Sequence, residues 1–213
     1  MHDTVKLMPL PSLRPPELHD GDRMSREEFL WRWEQIPELK QAELIDGVVY
    51  LASPVSFPHS EYQVLFAALL THYARASKAG FRVGTNTSLT LAGSVVQPDV
   101  VLVRNAIGVE GGYLEDVPDL IVEVSYSSVA HDLGRKLSTY RSAGVREYIT
   151  VLVEKQCVEW RVLSGTQYRL LDPAQDGILK SPGLPGLWLD TQALFPLDHE
   201  RLFAAIDRGV KTA

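Results

Sequence analysis

With 213 residues, 45% of them hydrophobic and 23% charged, the chain has the balance of an ordinary soluble globular protein and is long enough for one well-buried domain. Its formal net charge of −6 argues against holding nucleic acid by bulk attraction, while leaving open a local basic patch around a site. No apolar run approaches a membrane span and the N-terminus lacks the layout of a secretion signal, so a cytoplasmic setting without a membrane partner is expected.

Residues 1–22 contain four prolines and no hydrophobic period, and read as an irregular or disordered lead-in to a single domain over residues 23–213. Ser25 followed by Glu28 is a capping box, and Phe29, Leu30 and Trp33 give the helix it opens an apolar stripe. Asp46-Gly47 between two short apolar runs predicts a hairpin whose first strand carries Glu43, by itself a solvent-facing strand residue. From Ser56 to Ala79, the residues Val64, Leu65, Ala68, Leu69 and Tyr73 recur at helical spacing and predict the longest helix. His59 lies near its start and, taken alone, reads as structural or exposed. Gly80 ends the helix, and Phe81–Val83 and Ser88–Leu91 read as strands around a Gly84-Thr85-Asn86 turn.

The stretch from Gln97 to Tyr140 carries the chemistry. Val100–Val103 and Leu120–Val124 are short, β-branched and bounded by turn residues, which predicts buried central strands. Asp99 and Glu123 are carboxylates set against these runs, and desolvating such an acid costs several kcal/mol (of order 2–7) unless something cationic meets it. On neighbouring strands they can converge on a hard divalent cation such as Mg²⁺. A helix follows from about Val129 or His131 to Ala143, on which Asp132, Lys136 and Tyr140 are four apart and share a face. Asp132 and Lys136 can be a plain ion pair with Tyr140 as core; alternatively Lys136 points back at the acids and offsets their repulsion. Beyond it, Glu147–Val153 and Cys157–Leu163 predict a hairpin, with the lone cysteine, Cys157, as an inert half-buried thiol. Tyr168–Leu171 reads as a further strand, Leu179–Leu187 as an ordered turn and Asp198–Arg208 as a short final helix. There is no glycine-rich phosphate loop and no Cys/His metal spacing, which excludes P-loop nucleotidases, Rossmann oxidoreductases and structural zinc modules.

Glu43, Pro98-Asp99 and Glu123 together resemble the PD-(D/E)xK nuclease superfamily. Within it the chain is similar to the Uma-type branch of restriction-endonuclease-like proteins. The matching pieces are Glu43-Leu44-Ile45-Asp46-Gly47, Ser53-Pro54 with His59, Pro98-Asp99-Val100, Pro118 to Ser125, Asp132 to Lys136, Tyr140, Ala143-Gly144-Val145 with Glu147-Tyr148, and Leu184 to Leu187. The superfamily pattern places a lysine two residues after the strand glutamate, where this chain has Ser125; in the branch it resembles, Lys136 on the following helix takes that role.

The resemblance implies an α/β, restriction-endonuclease-like core, a mixed central sheet flanked by helices. The hairpin of Glu43 and the strands of Asp99, Glu123 and Glu147 are expected in that sheet. It implies metal-dependent hydrolysis of phosphodiesters, with DNA as the substrate. Asp99, Glu123 and the Val124 carbonyl would bind Mg²⁺ or Mn²⁺, and Lys136 and Glu43 would complete the catalytic set. His59, Ser125, Asp132 and Tyr140 would support them or touch substrate. A homodimer is compatible, since cutting both strands of a duplex takes two sites. The competing reading is a non-catalytic nuclease-like module that binds nucleic acid or protein, which the acidic net charge favours.

Overall fold

In the computed structural model, which describes residues 17–52, 54–91, 93–104, 109–110, 113–126 and 129–213 without the side chains of 109–110 and 129–133, the apolar runs segregate into two six-stranded sheets. The first half of the chain supplies α1 (Arg26–Glu34), β1 (Ala42–Ile45), β2 (Val48–Leu51), α2 (Phe57–Ser77), β3 (Phe81–Thr85), β4 (Leu89–Leu91), β5 (Ser94–Val96) and β6 (Val100–Arg104). The second half supplies β7 (Val109–Glu110), β8 (Tyr113–Leu114), β9 (Leu120–Ser125), α3 (Val129–Ala143), β10 (Glu147–Leu152), β11 (Cys157–Ser164) and β12 (Gln167–Leu170). Then come β13 (Ile178–Lys180), β14 (Trp188–Asp190), α4 (Thr191–Leu194) and α5 (His199–Thr212).

The central sheet runs β12-β11-β10-β9-β6-β3 and is mixed: β9 and β10 are parallel, joined by the α3 crossover, and every other neighbouring pair is antiparallel. Alternation along β6 and β9 sends Val100, Leu102, Leu120, Val122 and Val124 into a core shared with α2 and the C-terminal helices. Val101, Val103 and Ile121 face the other way, against Tyr140 of α3 and against residues of the second sheet. That second sheet runs β2-β1-β5-β4-β8-β7. The Glu43 hairpin therefore lies outside the central sheet in which the sequence placed it. It is paired instead through β1 with β5, where Leu44 stands opposite Val95. Gly84 and Thr85, read from the sequence as turn residues, instead continue β3 opposite Val101 and Val100, and the chain turns only after them, so that β3 and β4 enter different sheets.

Local signals account for the element ends. The Ser25 hydroxyl accepts from the Glu28 N–H at 3.2 Å, and Asp46 and Gly47 both take positive φ (52° and 75°) in the β1–β2 turn, a combination that Gly tolerates without penalty. Helix α2 is the longest, at 21 residues, and buries Tyr62, Leu65, Phe66, Leu69, Leu70 and Tyr73. Val64 falls out of that stripe and is 65% exposed, contrary to the sequence reading. Cys157 is also exposed, since it opens β11 directly after a turn. Residues 17–22 are irregular yet tied down: Leu18 is buried, and Gly21 N–H and Asp22 C=O pair with Val49 of β2.

Glu147, at the start of β10, holds the C-terminal segment in place. Its carboxylate accepts from the Trp160 indole at 2.8 Å, the Ser181 hydroxyl at 2.6 Å and the Gly183 N–H at 2.9 Å, and burial pushes its pKa up. A Cβ at Gly183 would stand 2.7 Å from that carboxylate, so only glycine allows the approach. Glu147→Ala would strand buried donors, each at about 1–3 kcal/mol. A loss of roughly 3 kcal/mol in urea unfolding is expected, and a loss under about 1 kcal/mol would show that water takes over the carboxylate's place.

Candidate active site

The site lies where the two sheets and the start of α2 meet α3, at the floor of a cleft of about 530 Å³. Asp99 immediately precedes β6 and Glu123 sits within β9, and strand alternation puts both on the face that looks toward the second sheet. Asp99, Glu123 and Lys136 are each 8% exposed.

Lys136, projecting from α3, is the hub. Its Nζ lies 3.0 Å from Glu43 Oε1 and 3.2 Å from Glu123 Oε1. The Tyr140 hydroxyl, one helical turn further on, donates to Glu123 Oε1 at 2.6 Å, with its ring edge-on to Tyr148. Thus Lys136 and Tyr140 do share a face and both reach the strand acid. Asp132, the third residue of that spacing, has its side chain outside the described residues. Asp99 is held from two sides: Oδ2 accepts from the Val124 N–H at 2.7 Å, and Oδ1 lies 3.1 Å from His59 Nε2. The β6–β9 register pairs Val100 with Val122, which sets Pro98 opposite Val124. Ser125 ends β9 with a buried hydroxyl that has no partner among the described residues.

Two contributors escaped the sequence argument. Gln97 gives its N–H to Glu43 at 2.7 Å, while its side chain accepts from the Ala42 N–H and donates to Ser88, so it locks the Glu43 strand beside Asp99. Gln63 donates to the Asp99 carbonyl at 3.1 Å and to Asn86. Its spacing of four from His59 on α2 was the available signal.

Electrostatics follow from this packing. Burial raises the Glu123 pKa to about 8; the Lys136 ammonium and the Tyr140 hydrogen bond work against that rise, and Asp99 and Glu43 add to it. Burial by itself would lower the Lys136 pKa, but Glu123, Glu43 and Asp99 outweigh it and hold the ammonium well above its ordinary value. With all three acids ionised, one ammonium leaves two negative charges uncompensated, the amount a divalent cation brings. Among the described residues no three His, Cys, Asp or Glu side chains form a ready metal cage. The donors on hand are hard: the Asp99 and Glu123 carboxylates, with the Val124 carbonyl beside a proline that has no N–H to give it.

The profile of the Uma2 family, described as "Putative restriction endonuclease", matches residues 26–192. The chain belongs to the Uma2 family. No curated protein matches it. Among solved structures, it is similar to a protein from Anabaena variabilis described as "a putative nuclease belonging to DUF820". The two are 17% identical and superpose with a TM-score of 0.66 over 81% of this chain and 98% of the other. That likeness shows a shared fold, the α/β arrangement of a mixed sheet flanked by helices. The Uma2 match spans Glu43, Asp99, Glu123 and Lys136. No helix among the described residues is long and apolar enough to cross a membrane.

Proposed function

We propose that the chain is a metal-dependent endonuclease of the PD-(D/E)xK type that hydrolyses phosphodiester bonds in DNA, acting in the cytoplasm. The observation that carries this reading is the convergence of Lys136 on Glu43 and Glu123, beside Asp99, at the floor of a cleft. A packing helix has no need of a lysine aimed into buried acids, whereas phosphodiester cleavage needs both an anionic metal seat and a cation for the developing charge.

In this reading Asp99, Glu123 and the Val124 carbonyl would hold Mg²⁺ or Mn²⁺, and Glu43 would close the set. The bound cation supplies Lewis-acid polarisation of the phosphate and acidifies water. Lys136 orients the attacking water and balances charge on the phosphorane, tethered by Glu43 so that its ammonium stays at the floor. Tyr140 fixes the Glu123 carboxylate, and His59 fixes Asp99. Asp132 and Ser125 stand in the same reading as supporting or substrate-touching groups, and a homodimer would present two such sites to a duplex.

The test is incubation of supercoiled plasmid, and of single-stranded DNA, with the protein in Mg²⁺ or Mn²⁺ beside an EDTA control. Nicking that EDTA abolishes supports the reading, and plasmid and single-stranded DNA that both stay intact under every condition sink it in favour of the non-catalytic module.

A pH dependence follows. Burial pushes the Glu123 pKa up to about 8, so a cation seated there competes with a proton for the carboxylate, and increasingly so as the pH falls. Mn²⁺ affinity is therefore expected to rise between pH 6 and 8 and to flatten above, with proton release seen by calorimetry in buffers of different ionisation enthalpy. Affinity that is flat across this range would mean that Glu123 is already ionised or is no ligand.

A further inference from the structure

The mouth of the cleft carries features that the catalytic floor does not use. Arg135 precedes Lys136 on α3, is exposed, and holds its guanidinium 5.3 Å from the centre of the Tyr50 ring. Tyr50 stands directly across the β1–β2 hairpin from Glu43, so one hairpin supplies both a floor acid and the seat of a mouth cation. Of the described residues lining the cleft, Arg135 and Lys136 are the permanent cations, against the carboxylates of Asp20, Glu43, Asp99 and Glu123. Lys136 is consumed by two of those acids, whereas Arg135 has no ion-pair partner among the described residues. The rim also exposes two apolar side chains, Tyr126 (38%) at the end of β9 and Val55 (52%).

We infer that the cleft takes an unpaired nucleotide of a single nucleic-acid strand, with Arg135 gripping a phosphate and Tyr126 offering a face for a base. This rests on the nuclease reading and narrows its substrate. A duplex is held by a long series of Lys and Arg contacts to phosphates, and its stiff, wide cylinder reaches acids that are 8% exposed less readily than a flexible strand does. Among the described residues lining the cleft, Arg135 is the one cation outside an ion pair, against four carboxylates, and that is not such a series. A flexible strand can instead send one nucleotide into 530 Å³, a volume typical of small-ligand sites. It gains affinity from stacking its bases on aromatic faces, a contribution that the already paired and stacked bases of a duplex cannot make. Arg135 suits the phosphate role because its planar fork can rest on Tyr50 and still present donors outward.

The test is fluorescence anisotropy with Ca²⁺ present, using a labelled single-stranded DNA oligonucleotide, its duplex and the RNA strand of the same sequence. Wild type is expected to bind the single strands at least tenfold more tightly than the duplex, and the DNA and RNA arms identify the preferred sugar. Arg135→Ala should weaken single-strand binding at least fivefold and reduce the log–log salt slope by about 0.7, the value for one lost phosphate contact. Arg135→Lys should keep that slope, and Tyr126→Ala should lose affinity at an unchanged slope. Both positions are exposed, so unchanged melting temperatures separate these effects from misfolding. Duplex binding as tight as single-strand binding, or an Arg135→Ala protein with wild-type affinity and slope, overturns the inference. If wild type nicks plasmid yet prefers duplex, only this inference falls; if it neither binds any strand nor cuts, the nuclease reading falls with it.

Discussion

Lys136→Met is expected to slow metal-dependent nicking by about a hundred- to a thousandfold, the loss typical of removing one group that stabilises transition-state charge. The same change strips the cation from Glu43 and Glu123, whose carboxylates it meets at 3.0 and 3.2 Å in a buried setting. Breaking one partner out of such a pair costs on the order of 3–5 kcal/mol, so the variant should melt well below wild type in EDTA. Mn²⁺ should then restore more stability to the variant than it adds to wild type, because its charge replaces the missing ammonium. Nicking rates must be compared at a temperature where near-ultraviolet circular dichroism shows the variant folded. A folded variant that cuts as fast as wild type would reduce Lys136 to half of a structural ion pair.

The second large effect has the opposite sign on stability. Asp99→Asn keeps the shape of a side chain that accepts from the Val124 N–H and meets His59, and it deletes one of the mutually repelling charges. In EDTA the variant should melt at or above the wild-type temperature. It should also lose the extra stabilisation that metal gives wild type, about 2.7 kcal/mol when the ion is a hundredfold above its dissociation constant. A general folding defect cannot raise stability in one condition and abolish a gain in the other. If Asp99→Asn melts far below wild type in EDTA and metal shifts neither protein, Asp99 serves the fold and the interaction module becomes the better reading.

The parts of this molecule that could be read from its residues are those governed by short-range rules. The capping box at Ser25, the Asp46-Gly47 turn, the strands flanking Asp99 and Glu123 and the spacing that carries Lys136 and Tyr140 all act over a few residues. Each has its expected form in the structure except the return half of the capping box, since the Glu28 carboxylate turns to Arg32 instead. What the residues taken one by one did not carry, and only the family resemblance supplied, depends on contacts between distant segments. Glu43 reads as an ordinary surface strand acid until β1 is seen to pair with β5 and Gln97 to lock it, which assigns the hairpin to a sheet of its own. His59 gains a role only because the start of α2 reaches the residue that opens β6. Val64 and Cys157 show the reverse error, where apolar character suggested burial and the phase of the helix or the end of the strand decided against it.

The position of the lysine on α3 also has a consequence for how the chain is made. Synthesis proceeds from the N-terminus, so Glu43, Asp99 and Glu123 emerge in turn while Lys136, whose ammonium joins two of them, is still to be added. Until residue 136 is out, drawing the two sheets together crowds ionised carboxylates with no ammonium between them, and that repulsion opposes the approach. Addition of α3 removes that obstacle and delivers the charge that the proposed chemistry requires. Of the four charged groups at the floor, the one that offsets the acids is therefore the last to be synthesised, and it is also the one the proposed chemistry requires.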